Sequence, residues 1–204
     1  MRFVLASRNR HKLDEYRAIL APHEVEAMPA GVELPPEGVT SFEDNARVKA
    51  QALARALESG VDDADQAVVV ADDSGIEVAV LGGAPGVISA RYAGREGDDQ
   101  ANNRRLLTEL AALPGEHDRA ARFVCAIAFV APGAAGAEIV RGEWPGAIAP
   151  APRGVSGFGY DPLFVPAGSR LTVAQMTEAD KNAQSHRARA ARALLARLAG
   201  DGLP

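Results

Sequence analysis

A Val-rich apolar run, Gln66–Ala71, ends abruptly on two adjacent carboxylates, Asp72 and Asp73, followed by Ser74 and Gly75. A short apolar run of this composition reads as a buried strand. Placing two carboxylates at its end, beside a core, is costly unless cations or hydrogen bonds compensate. Hard carboxylate oxygens suit magnesium, which typically takes one or two carboxylates, several waters and the phosphates of a bound molecule. Gly75 lets the backbone turn sharply, and Ser74 offers a donor to a phosphate or sugar. A solvated turn is the plainer alternative, because Asp, Ser and Gly are the usual turn residues. The segment by itself leaves both readings open.

The rest of the chain surrounds this run with alternating elements. Arg2–Ala6 reads as a first buried strand, and His11–Leu20 as a helix with Leu13, Tyr16, Ile19 and Leu20 on one face. The connection Ser7–Lys12 then faces a helix N-terminus. Pro29–Val39 is a loop, and Ser41-x-x-Asp44 resembles a capping box that opens a helix to about Ser59. Ile76–Val80 alternates as a half-buried strand, and Gly82–Gly86 forms a loop. Leu106, Leu107, Leu110 and Leu113 mark a helix that Pro114-Gly115 ends. Arg119–Val130 and Glu138–Trp144 read as a hairpin joined through Pro132–Ala137, and Ser185–Leu198 as a final helix ending at Gly200. Strands alternate with helices early and pair as hairpins late. The expected fold is therefore α/β, a mixed twisted sheet with flanking helices.

Bulk properties narrow the function. The 204 residues fit one domain or two closely joined lobes. The longest apolar runs, such as Phe123–Ala131, fall far short of the roughly 20 residues of a membrane helix, and the apolar N-terminus is too short for a secretory signal. The single cysteine, Cys125, excludes an internal disulfide and fits a reducing cytoplasm. A net charge of −5 argues against sequence-independent binding of long nucleic acid. It still permits a small polyanion, given a metal ion and a few local cations.

Four further segments carry possible chemistry. Glu43-Asp44-Asn45 is a second acidic cluster at a helix start, where the helix dipole alone favours carboxylates. Asp44 can equally be the second hard ligand that an isolated Asp pair lacks. Lys49 lies four residues beyond Asn45, either touching phosphate or exposed on the surface. Ser7-Arg8-Asn9-Arg10-His11-Lys12 places backbone N–H groups and cations at a helix start, a natural phosphate cradle, although it lacks the glycine spacing of a Walker A loop. In Ser156-Gly157-Phe158-Gly159-Tyr160-Asp161-Pro162, glycines on both sides of Phe158 leave its ring open to stack on a base. Ser185-His186-Arg187 and Lys181 add donors near the C-terminus. Each segment also has a bland structural explanation.

In order along the chain these segments resemble one family, the non-canonical purine nucleoside triphosphate pyrophosphatases. The resemblance rests on Leu5–Lys12, Phe42–Ala46, Ala71–Gly75, Gly82–Val87, Ser89–Tyr92, Gly157–Pro162 and Ser185–Arg187, which span nearly the whole chain. It implies a single pyrophosphatase domain, residues 1–204, with two lobes around a central nucleotide-binding cleft. It also implies a cytoplasmic homodimer that uses Mg2+ to hydrolyse ITP, dITP and XTP to monophosphate and pyrophosphate, cleansing the nucleotide pool. Carried over residue by residue, Asp73 is the proton acceptor and Asp44 and Asp73 hold the metal, with Glu43 able to share that role. Substrate contacts fall to Ser7, Arg8, Asn9, Arg10, His11, Lys12, Ser74, Phe158, Gly159, Tyr160, Asp161, Lys181, His186 and Arg187. Ser7 and Arg8 replace the Thr-Gly of many members. The alternatives are a septum-associated-type nucleotide pyrophosphatase, whose Ser-x-Ser-Pro-Arg-Arg start is missing here, and a non-catalytic nucleotide-binding module.

Overall fold

A computed structural model describes residues 1–58, 67–115 and 118–200. The expected helix end at Ser59 and strand start at Gln66 lie outside the described residues. Among the described residues six strands form one sheet in the order β2-β1-β3-β4-β5-β6, accompanied by five α-helices, as the alternating sequence pattern predicts. β1 (Arg2–Leu5) runs parallel to both β2 (Glu24–Ala27) and β3 (Val68–Val78), with Phe3 opposite Val25 on one side and Val68 on the other. β2 escapes sequence detection because only Val25 of its four residues is buried.

The first helix, α1 (Arg10–Ile19), starts where the Asn9 side chain accepts from the Lys12 N–H. α2 (Phe42–Glu58) starts where Ser41 Oγ accepts from the Asp44 N–H, satisfying one of the donors a helix start leaves open. Its buried stripe is Ala46, Ala50, Leu53 and Leu57. Burial of β3 is nearly continuous and interrupted only at Ser74 and Glu77, the pattern of a strand covered on both faces.

The strand expected to end at Ala71 continues further, and the solvated-turn alternative for Asp72–Gly75 does not hold. Those residues are strand, and β3 continues unbroken from the valines through both aspartates to Val78. A short 3-10 turn, Ala79–Leu81, follows where the alternating strand was expected to run to Val80.

α3 spans Asp99–Ala111, β4 Ala120–Val130 and β5 Glu138–Ile148. β5 passes Pro145, whose carbonyl accepts from the Ala167 N–H at 2.9 Å, and so outruns its expected end at Trp144. β6 (Phe164–Pro166) pairs antiparallel with β5. α4 (Glu178–Gln184) is capped by Thr177, and α5 (His186–Gly200) buries Ala188, Ala190, Ala191, Leu194 and Leu198. Among the described residues no helix is long and apolar enough to cross a membrane.

The chain divides into two compact units. The first comprises residues 1–73, 125–142 and 187–204, with a core of Phe3, Leu5, Tyr16, Leu20, Val70, Ile127, Phe129 and Leu194. The second comprises residues 74–124 and 143–186, with a core of Ile76, Leu106, Leu110, Phe123, Trp144, Tyr160 and Phe164.

Candidate active site

In the first unit β3 carries Asp72 and Asp73 inward, 1% and 5% exposed, so neither belongs to a solvated turn. Consecutive strand residues point to opposite faces, and the two carboxylates consequently meet different partners. Asp72 meets cations. Lys12 Nζ lies 3.1 Å from both of its oxygens, and Arg187 Nε lies 3.5 Å from Oδ2. Arg187, itself 3% exposed, also donates to Glu15 at 2.9 Å. Burial pushes the Asp72 carboxyl up, but Lys12, Arg187 and Lys49 outweigh it and hold the group below the usual carboxylate range. Asp72 is thus an internal counter-ion that fixes Lys12 and Arg187.

Asp73 meets an amide. Asn45 Nδ2 donates to its Oδ2 at 2.8 Å. Burial pushes this carboxyl above its ordinary value; Lys49 opposes the shift, and the charge of Glu37 adds to it. The net direction is opposite to that of its neighbour. Two adjacent titratable groups driven apart by their surroundings are the usual sign of divided roles at a functional site.

α2 supplies the groups around Asp73. Asn45 and Lys49, one helical turn apart, are 3% and 6% exposed. Lys49, for which exposure on the surface was the plainer expectation, instead donates to the Asp72 carbonyl at 2.8 Å and to Glu37 Oε1 at 2.5 Å. Its ammonium is favoured despite burial, because Asp72 and Glu37 outweigh desolvation. Lys49 in turn holds the Glu37 carboxyl below its ordinary value, against burial. Sequence reading missed Glu37 because it sits among prolines and glycines in a loop, with no motif around it.

Asp44 does not join this group. Its side chain is half exposed and pairs with Arg47 at 2.7 Å, while Glu43 pairs with Arg141 at 2.5 Å. Successive helical residues do not share a face, so turning Asn45 inward turns Asp44 outward. Asp44, expected to hold metal together with Asp73, thus lies on the surface beside Arg47, and the carboxylate that shares Lys49 with Asp73 is Glu37. Among the described residues no three His, Cys, Asp or Glu side chains form a metal cage. Magnesium does not require one, since it keeps waters and substrate phosphates as ligands. A buried carboxylate pushed upward by burial and by Glu37 suits a compensating divalent cation, so the donor set fits.

Around the start of α1, Arg8, Asn9, Arg10 and His11 are exposed, and Ser7 and Lys12 partly so. Ser7 Oγ accepts from the Asn9 N–H at 3.2 Å, and Arg8 donates to the Val32 carbonyl at 2.7 Å. Arg187, expected among the substrate contacts, pairs with Glu15 and Asp72 in this unit.

The second unit assembles the remaining candidates. Ser74 follows Asp73 on β3 and is partly exposed. Phe158–Asp161 is a tight turn in which Asp161 Oδ2 accepts from the Phe158 N–H at 3.0 Å and from Lys181 Nζ at 2.7 Å. The Lys181 ammonium lies 4.6 Å from the centre of the Phe158 ring. Phe158 is partly exposed, while Tyr160 is buried with its hydroxyl on the Ser89 carbonyl at 2.9 Å. His186 is buried and stacks on Phe123, with ring centres 4.7 Å apart. α4, unforeseen in the sequence, delivers Lys181.

Comparison with known proteins shows the family. Residues 3–197 match the model of the Ham1 family. The chain is 50% identical over 207 residues to the dITP/XTP pyrophosphatase of Nocardia farcinica, covering 97% of this chain and 95% of that protein. It is 48% identical over 210 residues to the dITP/XTP pyrophosphatase of Mycobacterium bovis, with the same coverage. The solved HAM1 protein of Coxiella burnetii superposes with a TM-score of 0.82 at 36% identity, covering 98% of this chain and 99% of that one. With the family model matching from β1 into α5 and the fold shared, the chain belongs to the Ham1 family.

Proposed function

We propose that this chain is a hydrolase that cleaves deaminated purine nucleoside triphosphates, dITP, ITP and XTP, to the monophosphate and pyrophosphate. The observation that carries the reading is the divided aspartate pair. Asp72 is spent on internal cations, whereas Asp73 is a buried carboxylate with its affinity for a proton increased. Relatives named dITP/XTP pyrophosphatase, nearly half identical over almost the whole chain, support the substrate class and favour it over both alternatives.

Magnesium is part of the proposal, held by Asp73 and Glu37. Such an ion would neutralise charge on the phosphate oxygens and make an attacking water more acidic. The chain's own residues do the rest. Asp73 accepts the proton of the water, a role typically contributing 10²–10⁴-fold. Lys12, oriented by Asp72, counters charge on the departing pyrophosphate, and the N–H groups and cations of Ser7–His11 receive the phosphates.

The base is assigned to the second unit, on the ring of Phe158 between Gly157 and Gly159. His186 donates to the 6-oxo group, which accepts, and leaves the adenine amine unmatched, worth about 1–3 kcal/mol. Arg187 orders the ionic cluster instead of reading the base. A homodimer and a cytoplasmic location belong to the same proposal, the former checked by light scattering.

The deciding experiment is a panel of canonical and deaminated triphosphates with magnesium, monitored for pyrophosphate and monophosphate. Pyrophosphate release from dITP, ITP or XTP, slowed roughly 10²–10⁴-fold in Asp73→Asn while nucleotide binding survives, is the expected result. No turnover of any of the three by the wild-type protein overturns the reading.

A further inference from the structure

The peptide of Gly159 is gripped on both sides by one face of α3. Its N–H donates to Asp99 Oδ2 at 2.6 Å, and its carbonyl accepts from Asn103 Nδ2 at 2.9 Å. Asp99 and Asn103 are four residues apart on a helix and share a face. Gly159 itself adopts a left-handed conformation, with φ of 61°, which the turn around Phe158 requires.

The carboxylate of Asp99 is not needed to start the helix. Asp98 already caps α3, accepting from the Ala101 N–H at 3.0 Å. Asp99 is therefore available to fasten the neighbouring turn. Asn103 is 8% exposed, and a buried amide with no structural duty would be replaced at little cost by an apolar residue. Together the two side chains satisfy both hydrogen-bonding groups of one glycine and hold the peptide that follows Phe158.

We propose that Asp99 and Asn103 are positioning residues for the base-binding segment, fixing the Gly159 peptide so that the Phe158 ring is presented in a stacking orientation. The proposal rests on the assignment of Phe158–Asp161 to the base. A base stacked on Phe158 is bound equally before and during phosphoryl chemistry. Loosening the platform therefore weakens binding and leaves the chemical step unchanged.

The test compares Asp99→Ala, Asp99→Asn, Asn103→Asp and Phe158→Ala for KM and kcat with ITP, and for affinity toward IMP by calorimetry. Asp99→Ala removes the acceptor, and Asn103→Asp sets an isosteric acceptor against the Gly159 carbonyl. Each raises KM and weakens IMP binding roughly tenfold, with kcat within about twofold of wild type. Asp99→Asn keeps an acceptor oxygen but loses the charge, and restores wild-type KM. A mere helix-dipole role for Asp99 predicts the opposite, Asn failing as Ala does, and that result overturns the proposal. Wild-type KM and IMP affinity in both Asp99→Ala and Asn103→Asp, with Phe158→Ala impaired, overturns it also. Unchanged KM in Phe158→Ala overturns the base assignment and the proposal with it. If Asp99→Ala does not fold, Asn103→Asp decides, because it changes no volume.

Discussion

Asn45 Nδ2 and Asp73 Oδ2 meet at 2.8 Å, and the same amide is locked from its other side by the backbone of Gly38. Asn45 Oδ1 accepts from the Gly38 N–H at 2.8 Å, and Nδ2 also donates to the Gly38 carbonyl at 3.3 Å. The amide cannot flip without setting its nitrogen against an N–H. The contact that orients Asp73 is thus fixed by the loop that also carries Glu37.

Replacing Asn45 by Ala is expected to lower kcat for ITP roughly tenfold or more, the loss of a buried hydrogen bond worth about 1–3 kcal/mol. In an Asp73→Asn background the same substitution changes kcat less than about twofold, because the group it orients is already disabled. The four-variant cycle, read from single-turnover rates, measures the coupling.

Glu37 and Asp44 separate two metal assignments. Glu37→Gln is expected to raise the magnesium concentration for half-maximal activity and to cut kcat at least about tenfold, the scale of one lost charged group at the reacting phosphates. Asp44→Asn removes an exposed ion pair with Arg47, worth at most about 1 kcal/mol, and leaves both parameters within about twofold. Magnesium titrations of activity in the two variants check this.

Asp72→Asn leaves Lys12 and the buried Arg187 without their shared counter-ion. A loss of about 3–5 kcal/mol in urea unfolding is expected. The folded carboxyl lies below its ordinary value, so its stabilisation is present above the unfolded pKa of about 3.9 and is lost as pH falls below it. Wild-type stability should fall across that acid window, and the variant should lack this component.

Gly157 sits at φ of 78°, and a Cβ there would meet Asp161 Oδ2 at 2.1 Å. Gly157→Ala is therefore expected to displace the carboxylate that holds both the Phe158 N–H and Lys181. KM for ITP should rise about tenfold or more, with the loss of one or two charge-assisted hydrogen bonds, and kcat should change less. Steady-state kinetics of this variant beside Phe158→Ala check the shared cause.

Much of the architecture was legible in the chain itself. Apolar, β-rich runs marked β1 and β4 and period-3.6 stripes marked α1, α2 and α3, because each of these elements must bury apolar residues. Elements without such a stripe escaped: β2 buries one residue of four, β6 has three residues, and α4 buries only Lys181. The aspartate pair was visible as a costly placement and the family resemblance singled out Asp73, but the partners that separate the two carboxylates were not visible.

The sequence by itself determined that two carboxylates follow an apolar strand and that glycines flank Phe158. It also determined that cations cluster at the first helix start, since composition and spacing are local properties. Only the tertiary structure decided which partner each group meets. It gave Asp72 to Lys12 and Arg187, Asp73 to Asn45, and Lys49 to the loop residue Glu37, while Asp44 went to the surface. The physical reason is that a charge's role follows from its desolvation and its neighbours, and here those neighbours lie 12 to 115 residues away.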